Sequence, residues 1–151
     1  WGSKEWVDKY RNMLGENLRL YINLDMNHVD LERNTGLTMF GNSKSDVESL
    51  RGISRVFTES FPELSAKYSI NIRDIESTGM PYNSDHAPFV YDIDNVPEDG
   101  MEYGDAIVCY GSGSIEYHTY LDSMDRFNEE SLVVSGVIFG SLMRYLSYGE
   151  S

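Results

Sequence analysis

Cysteine and positive charge are both scarce in this chain, and each shortage excludes a class of protein. Cys109 is the single cysteine among 151 residues, so an internal disulfide framework and a cysteine-rich zinc knuckle are excluded. Its apolar neighbours predict a thiol packed in a strand rather than a nucleophile. Lysine and arginine number 12 against 25 aspartates and glutamates, which gives a formal net charge of −13. Such a chain repels phosphate backbones, and we expect no nucleic-acid partner.

Internal repeats and long uninterrupted apolar runs are also missing. The most apolar predicted helix is interrupted by Ser135, Gly136, Gly140 and Arg144, so we expect no membrane span in this chain. The chain opens at Trp1 instead of a methionine, and we interpret it as part of a longer protein. Hydrophobic residues make up 40% of it, which is enough to bury the core of one domain or part of one.

The apolar pattern predicts helices that alternate with strands. Helices are expected to begin near Ser3, Ser45 and Asn128, and strands to cover Leu20 to Leu24, Leu37 to Phe40, Tyr68 to Ile72 and Asp105 to Tyr110. Gly15 is placed to end the first helix, and Ser45 with Glu48 has the form of a capping box. No regular pattern covers Glu76 to Gly104. This alternation predicts an α/β fold, a three-layer αβα sandwich with a mostly parallel mixed sheet, of which 1–151 is a partial domain.

The first predicted strand delivers a carboxylate to its end. Leu20 to Leu24 are apolar and aromatic residues that favour a sheet, and Asp25 follows them directly. Ligands of α/β proteins bind at the carboxyl ends of strands, where a fixed carboxylate is a good ligand for a metal ion. The alternative is that Asp25 only starts the turn through Met26 to His28.

Two further stretches are candidates for a site. One is Ser84-Asp85-His86-Ala87-Pro88-Phe89, and the other is Tyr117-His118-Thr119 with Asp122 four residues after the histidine. Imidazole and carboxylate together suit zinc. For His86, the alternative to metal ligation is a structural role beside the site. For His28, the alternative is that it is a solvated loop residue. Serine-hydrolase chemistry is not supported, because Ser84 lacks the Gly-x-Ser-x-Gly elbow.

Taken in order, these stretches resemble a known family. Asn23-Leu24-Asp25-Met26, Ser84 to Phe89, and Tyr117-His118-Thr119 with Asp122 resemble the motifs of the di-zinc aminopeptidase and glutamate-carboxypeptidase family of zinc exopeptidases. Gly2-Ser3-Lys4-Glu5-Trp6 is similar to the segment directly after that family's Glu-Glu motif. Each motif is weak alone, but their order and spacing over nearly the whole chain make the resemblance fairly specific. It implies that 1–151 is the C-terminal portion of such a catalytic domain.

The resemblance also implies roles for single residues. Asp25 would be a terminal ligand of one zinc ion and His118 a ligand of a second. Ser84, Asp85, His86 and Tyr117 would line the pocket and orient the ligands, and Asp122 would pair with the imidazole of His118. Two features depart from the family's pattern: Ser123 stands where the family often has threonine, and an acidic stretch from Glu98 to Asp105 looks inserted.

The family's remaining site residues would lie before Trp1. These are a second histidine ligand, a bridging aspartate and the Glu-Glu pair that contains the general base, so no catalytic residue is expected within this chain. The intact protein would be a zinc-dependent exopeptidase, hydrolysing peptide or N-acyl amino-acid substrates through a metal-activated water. This chain alone would be inactive, and its partners would be the missing N-terminal half or further copies of itself.

Two alternatives remain open on the same fold. One is an acyltransferase like glutaminyl cyclase with a single zinc ion, and the other is a non-catalytic binding module like the transferrin receptor. Retention of both Asp25 and His118 counts against the binding module, which has no need of metal ligands. Preference for an amino- or carboxypeptidase reaction depends on pocket contacts that no motif encodes.

Overall fold

The computed structural model describes residues 2–26, 36–73, 80–91, 106–110 and 118–148. Five α-helices lie within these ranges: α1 (Gly2–Asn17), α2 (Lys44–Ser60), α3 (Pro62–Lys67), α4 (Ala87–Val90) and α5 (Glu129–Tyr148). The four strands are β1 (Tyr21–Asp25), β2 (Gly36–Gly41), β3 (Ser69–Arg73) and β4 (Ala106–Tyr110), and a 3₁₀ turn covers Met124–Arg126. All four strands lie within a residue of their predicted positions.

The four strands form one mixed sheet in the order β1-β4-β2-β3. β1 runs parallel to β4 and β2 runs parallel to β3, whereas β2 and β4 are antiparallel. Asp25 at the end of β1 is in register with Tyr110 at the end of β4. The carboxyl ends of these two strands therefore share one edge of the sheet.

Helices cover both faces of this sheet. On one face, Ile107 and Cys109 of β4 join a core with α2 and α5, whose buried members include Leu50, Ile138 and Leu142. On the other face, Ala106 and Val108 pack with Met80 and Val90, and a neighbouring cluster joins α1 to α4 through Val7, Leu14 and Phe89. The predicted α/β fold with helices on both faces is confirmed.

The predicted ends of two helices were wrong. α1 continues through Gly15 to Asn17, and the N–H of Leu18 still donates to the carbonyl of Leu14 at 2.9 Å. Leu14 and Leu18 both pack in the cluster beneath α1, and this packing outweighs the roughly 1 kcal/mol cost of a helical glycine. α2 begins at Lys44 with Ser43 as its N-cap, not at the predicted cap Ser45.

The irregular region contains one short helix that the sequence pattern did not predict, the single turn α4. At the start of α5, the Asn128 side chain accepts a hydrogen bond from the N–H of Glu130 at 3.1 Å, so Asn128 caps the helix as predicted. Its neighbour Tyr68 is buried and donates from its hydroxyl to the Glu130 carboxylate at 3.0 Å. This contact ties the start of β3 to the first turn of α5.

Among the described residues, α5 is the one helix long and apolar enough to cross a membrane, judged by length and composition alone. The mean hydropathy of its most apolar 18 residues is 1.2, and about 33% of those residues are buried in the fold. A helix that covers a sheet in a protein core meets the same criterion. The absence of a membrane span therefore stays a prediction.

Candidate functional site

The candidate site lies on one face of β1, at the end where the strand stops. Side chains alternate between the two faces of a strand, so Tyr21, Asn23 and Asp25 share a face. Tyr21 packs in the clusters of α1 and α4, whereas Ile22 packs in the core on the opposite face. Asn23 is only 9% exposed, and Asp25 is half-buried. The pleat therefore points an amide and a carboxylate toward the segment 80–91.

The residue after Asp25 ends the strand. Met26 has a φ of 51°, in the left-handed region that residues with a side chain rarely adopt. A residue in this region breaks the extended backbone conformation, so β1 ends at Asp25. The carboxylate thus lies at the last position of a buried strand, at the edge where β4 also ends.

Four polar side chains from two distant segments meet at this edge. The hydroxyl of Ser84 donates to Oδ2 of Asp25 at 2.5 Å, although the residues are 59 positions apart. Nδ2 of Asn23 lies 3.1 Å from Oγ of Ser84 and 3.4 Å from Nδ1 of His86. His86 is fully buried, and its Nε2 contacts the carbonyl oxygen of Pro81. The structure therefore brings Asp25, Ser84 and His86 together, with Asn23 between them.

Backbone and aromatic contacts hold the segment that carries Ser84 and His86. The N–H of Ala87 donates to the carbonyl of Ser84 at 3.0 Å, and the hydroxyl of Tyr91 donates to the carbonyl of Met80. The ring of Phe89 stacks on Tyr21 with centroids 3.8 Å apart and planes inclined by 14°. The stack joins α4 directly to the face of β1 that carries the polar residues.

Burial sets the charge state of the histidine. Desolvation lowers the pKa of His86, while the Pro81 carbonyl and the charges of Asp25 and Asp85 act in the opposite direction. The imidazole is therefore neutral at neutral pH. Burial also raises the pKa of Tyr21, with a smaller contribution from Asp85. Asp85 itself is exposed and lies at the rim of the cluster.

His118 lies in an exposed turn beyond β4. Its φ is 60°, and in the same turn the N–H of Asp122 donates to the carbonyl of Thr119 at 3.2 Å. Asp122 is exposed as well, and its predicted pairing with the imidazole of His118 stays a prediction. Tyr117, His28 and the acidic stretch from Glu98 to Asp105 lie outside the described residues.

The donor atoms at this edge can be tested against what zinc requires. One oxygen of Asp25 takes the hydrogen of Ser84, and the other retains lone pairs that can coordinate a metal. His86 engages both ring nitrogens with protein groups, so it suits a supporting role better than ligation. Within the described ranges, no group of three or more histidines, cysteines or acids could hold a metal ion. Asp25 and His118 have the right chemistry for zinc but need further ligands.

Asn23 is the residue whose part in the site the sequence analysis missed. In the sequence it is only the first letter of a motif, yet its amide contacts both Ser84 and His86. The available signal was an amide at an inward position of an apolar strand, because a buried polar group needs hydrogen-bond partners.

Comparison of the chain with protein-family models, with curated protein sequences and with solved structures found no match. The family resemblance therefore depends on the motifs alone. The contacts around Asp25 are an independent observation, because they come from the geometry and not from a relative.

Proposed function

We propose that this chain supplies part of the active site of a zinc-dependent exopeptidase, of the aminopeptidase or glutamate-carboxypeptidase type. The observation that carries the proposal is the hydrogen bond from Ser84 to Asp25, at 2.5 Å. It joins two of the motifs on which the resemblance depends, across 59 positions of sequence. A carboxylate at a strand end, with its orientation fixed by a neighbouring hydroxyl, is the arrangement that metal ligands need.

Each residue has a stated part in this proposal. Asp25 is a ligand of one zinc ion and His118 is a ligand of the other. Ser84 orients the Asp25 carboxylate, and Asn23 and His86 hold the segment that carries Ser84. When bound, the zinc ions supply polarisation of the scissile carbonyl and a water of lowered pKa.

The remaining groups come from outside this sequence, as the family resemblance implies. Zinc takes three or four protein ligands, and this chain contributes one to each ion. The general base that takes the proton from the water is also a glutamate outside this sequence. By this proposal the isolated chain binds zinc weakly and hydrolyses nothing, and it works with an N-terminal half or with further copies. Its substrates are peptides or N-acyl amino acids.

The test is made on the intact protein. Replacing Asp25 or His118 by alanine should each remove about one zinc equivalent and abolish hydrolysis of aminoacyl and N-acyl substrates. Glu63→Ala is the control, since Glu63 is an exposed carboxylate on α3, and this variant should retain both metals and activity. Zinc content is measured by elemental analysis and turnover by release of the terminal residue.

Three outcomes would contradict the proposal. Full activity with two bound metals in both alanine variants would show that these residues are not the ligands. A single zinc in the wild type with cyclisation of N-terminal glutamine would indicate the acyltransferase. No metal and no turnover in the intact wild type would indicate a binding module.

A further inference from the structure

The hydrogen of the Ser84 hydroxyl points toward the carboxylate of Asp25. A serine has one O–H donor, and a carboxylate accepts hydrogen bonds without donating. The 2.5 Å contact with Oδ2 of Asp25 therefore uses that hydrogen. The contact of Ser84 Oγ with Asn23 at 3.1 Å must then take its hydrogen from the amide, which fixes Nδ2 of Asn23 toward Ser84.

The tautomer of His86 can be assigned by the same reasoning. The carbonyl of Pro81 only accepts, so Nε2 of His86 carries the hydrogen in that contact. Burial keeps the ring neutral, so Nδ1 carries no hydrogen and presents a lone pair. That lone pair faces the second hydrogen of Nδ2 of Asn23 at 3.4 Å. Both hydrogens of one amide nitrogen are thus assigned, one to each partner.

We propose that Asn23 is a positioning residue: one of its amide hydrogens keeps Nδ1 of His86 unprotonated, and the other directs the Ser84 hydrogen toward Asp25. Asn23 is buried, two residues before Asp25 on the same face of β1, so the strand sets the spacing between donor and carboxylate. One lone pair of the Ser84 hydroxyl accepts from Asn23, so the hydrogen of that hydroxyl is directed away from Asn23 and toward Asp25. The consequence for metal binding rests on the proposed function, whereas the hydrogen directions do not.

A spectroscopic measurement on the full chain of 151 residues tests the hydrogen directions. In ¹⁵N-labelled wild-type protein at neutral pH, His86 should show a protonated Nε2 and an unprotonated Nδ1. Asn23→Asp keeps the shape but replaces the two donors by an acceptor. In this variant Nδ1 should also become protonated, because the new carboxylate accepts a hydrogen from Nδ1 while Nε2 still donates to the carbonyl of Pro81. Ser84→Ala is the matched control, because it removes the bond to Asp25 and leaves the Asn23–His86 contact, and it should retain the wild-type pattern.

Each result decides for or against the proposal. A protonated Nδ1 in the wild type overturns it without any variant, so the test survives if Asn23→Asp does not fold. The proposal is also overturned if Asn23→Asp leaves the protonation of the His86 ring nitrogens unchanged. It is overturned as well if Ser84→Ala changes that protonation as much as Asn23→Asp does.

Zinc titration of the intact protein separates this inference from the proposed function. Asn23→Ala and Ser84→Ala should each weaken zinc binding by about 10- to 100-fold, as loss of groups that orient a ligand does. Unchanged zinc affinity in Asn23→Ala would overturn the link to the metal. If the wild type binds no zinc but its His86 pattern is as stated, the proposed function fails and the positioning role of Asn23 stands.

Discussion

Ser43 and Asp46 satisfy each other's backbone at the start of α2. The Ser43 hydroxyl accepts from the N–H of Asp46 at 3.1 Å, and the Asp46 carboxylate accepts from the N–H of Ser43 at 3.2 Å. The helix begins close to the end of β2: a Cβ added to Gly41 would lie 2.8 Å from the backbone nitrogen of Val47. Only glycine allows this approach, so Gly41 and the cap together fix where α2 leaves the sheet.

The first prediction compares two serines near this helix start. Ser43→Ala should lower the free energy of unfolding by about 1 kcal/mol, within a range of roughly 0.5–2, because an N-cap is lost. Ser45→Ala replaces an exposed residue within the first turn and should cost no more than about 0.5 kcal/mol. Urea unfolding of both variants measures the difference. Equal losses would show that the cap does not stabilise the helix.

This helix start also shows what local sequence can and cannot decide. Apolar periodicity placed all four strands and the helices α1, α2 and α5, because it reflects which face each element buries. Two serines near α2 have an acid three residues later, and Ser45 with Glu48 is the pair that matches the capping-box pattern. Ser43 caps the helix where Val47 approaches Gly41 at the end of β2, a contact between strand and helix that the capping-box pattern does not contain.

The candidate site divides in the same way. Asp25 could be predicted as a strand-end carboxylate, because the apolar run before it and the turn after it are local signals. The part played by Asn23 could not, since its partners Ser84 and His86 lie 61 and 63 positions further along the chain. The sheet order, with β4 between β1 and β2, likewise depends on pairing between distant segments.

The second prediction concerns the pH dependence of stability at Glu130. Hydrogen bonds from Lys67 and then from Tyr68 lower the pKa of this carboxyl below its usual value of 4.5. A depressed pKa in the folded state contributes stability above the unfolded pKa, and the contribution is lost as pH falls through the folded pKa. Glu130→Gln should therefore be less stable than the wild type at neutral pH, with a difference that shrinks once the pH is well below 4.5.

Thermal unfolding of wild type and Glu130→Gln across this pH range checks the sign. Glu129→Gln is the matched control, because Glu129 is an exposed carboxylate in the same first turn of α5. At neutral pH, Glu129→Gln should differ less in stability from the wild type than Glu130→Gln does. A difference at Glu130 that is constant with pH, or that grows on acidification, would contradict the assigned direction of the pKa shift.

The third prediction tests whether α5 stabilises the fold in water by covering the sheet. Leu142 and Leu146 lie one helical turn apart, but Leu142 is 1% exposed within the core and Leu146 is 47% exposed. Leu142→Ala should lower the free energy of unfolding by about 2–5 kcal/mol, because it removes buried methyl groups and leaves a cavity. Leu146→Ala should cost about 0.5 kcal/mol or less. Urea unfolding in aqueous buffer without lipid measures the loss in both variants.

A domain is stable by only about 5–15 kcal/mol, so the loss expected for Leu142→Ala is a large share of the total stability and is easily measured. If the two variants lost the same small amount, the packing of α5 on the sheet would contribute nothing in water, and its apolar composition would then need another explanation, such as a bilayer.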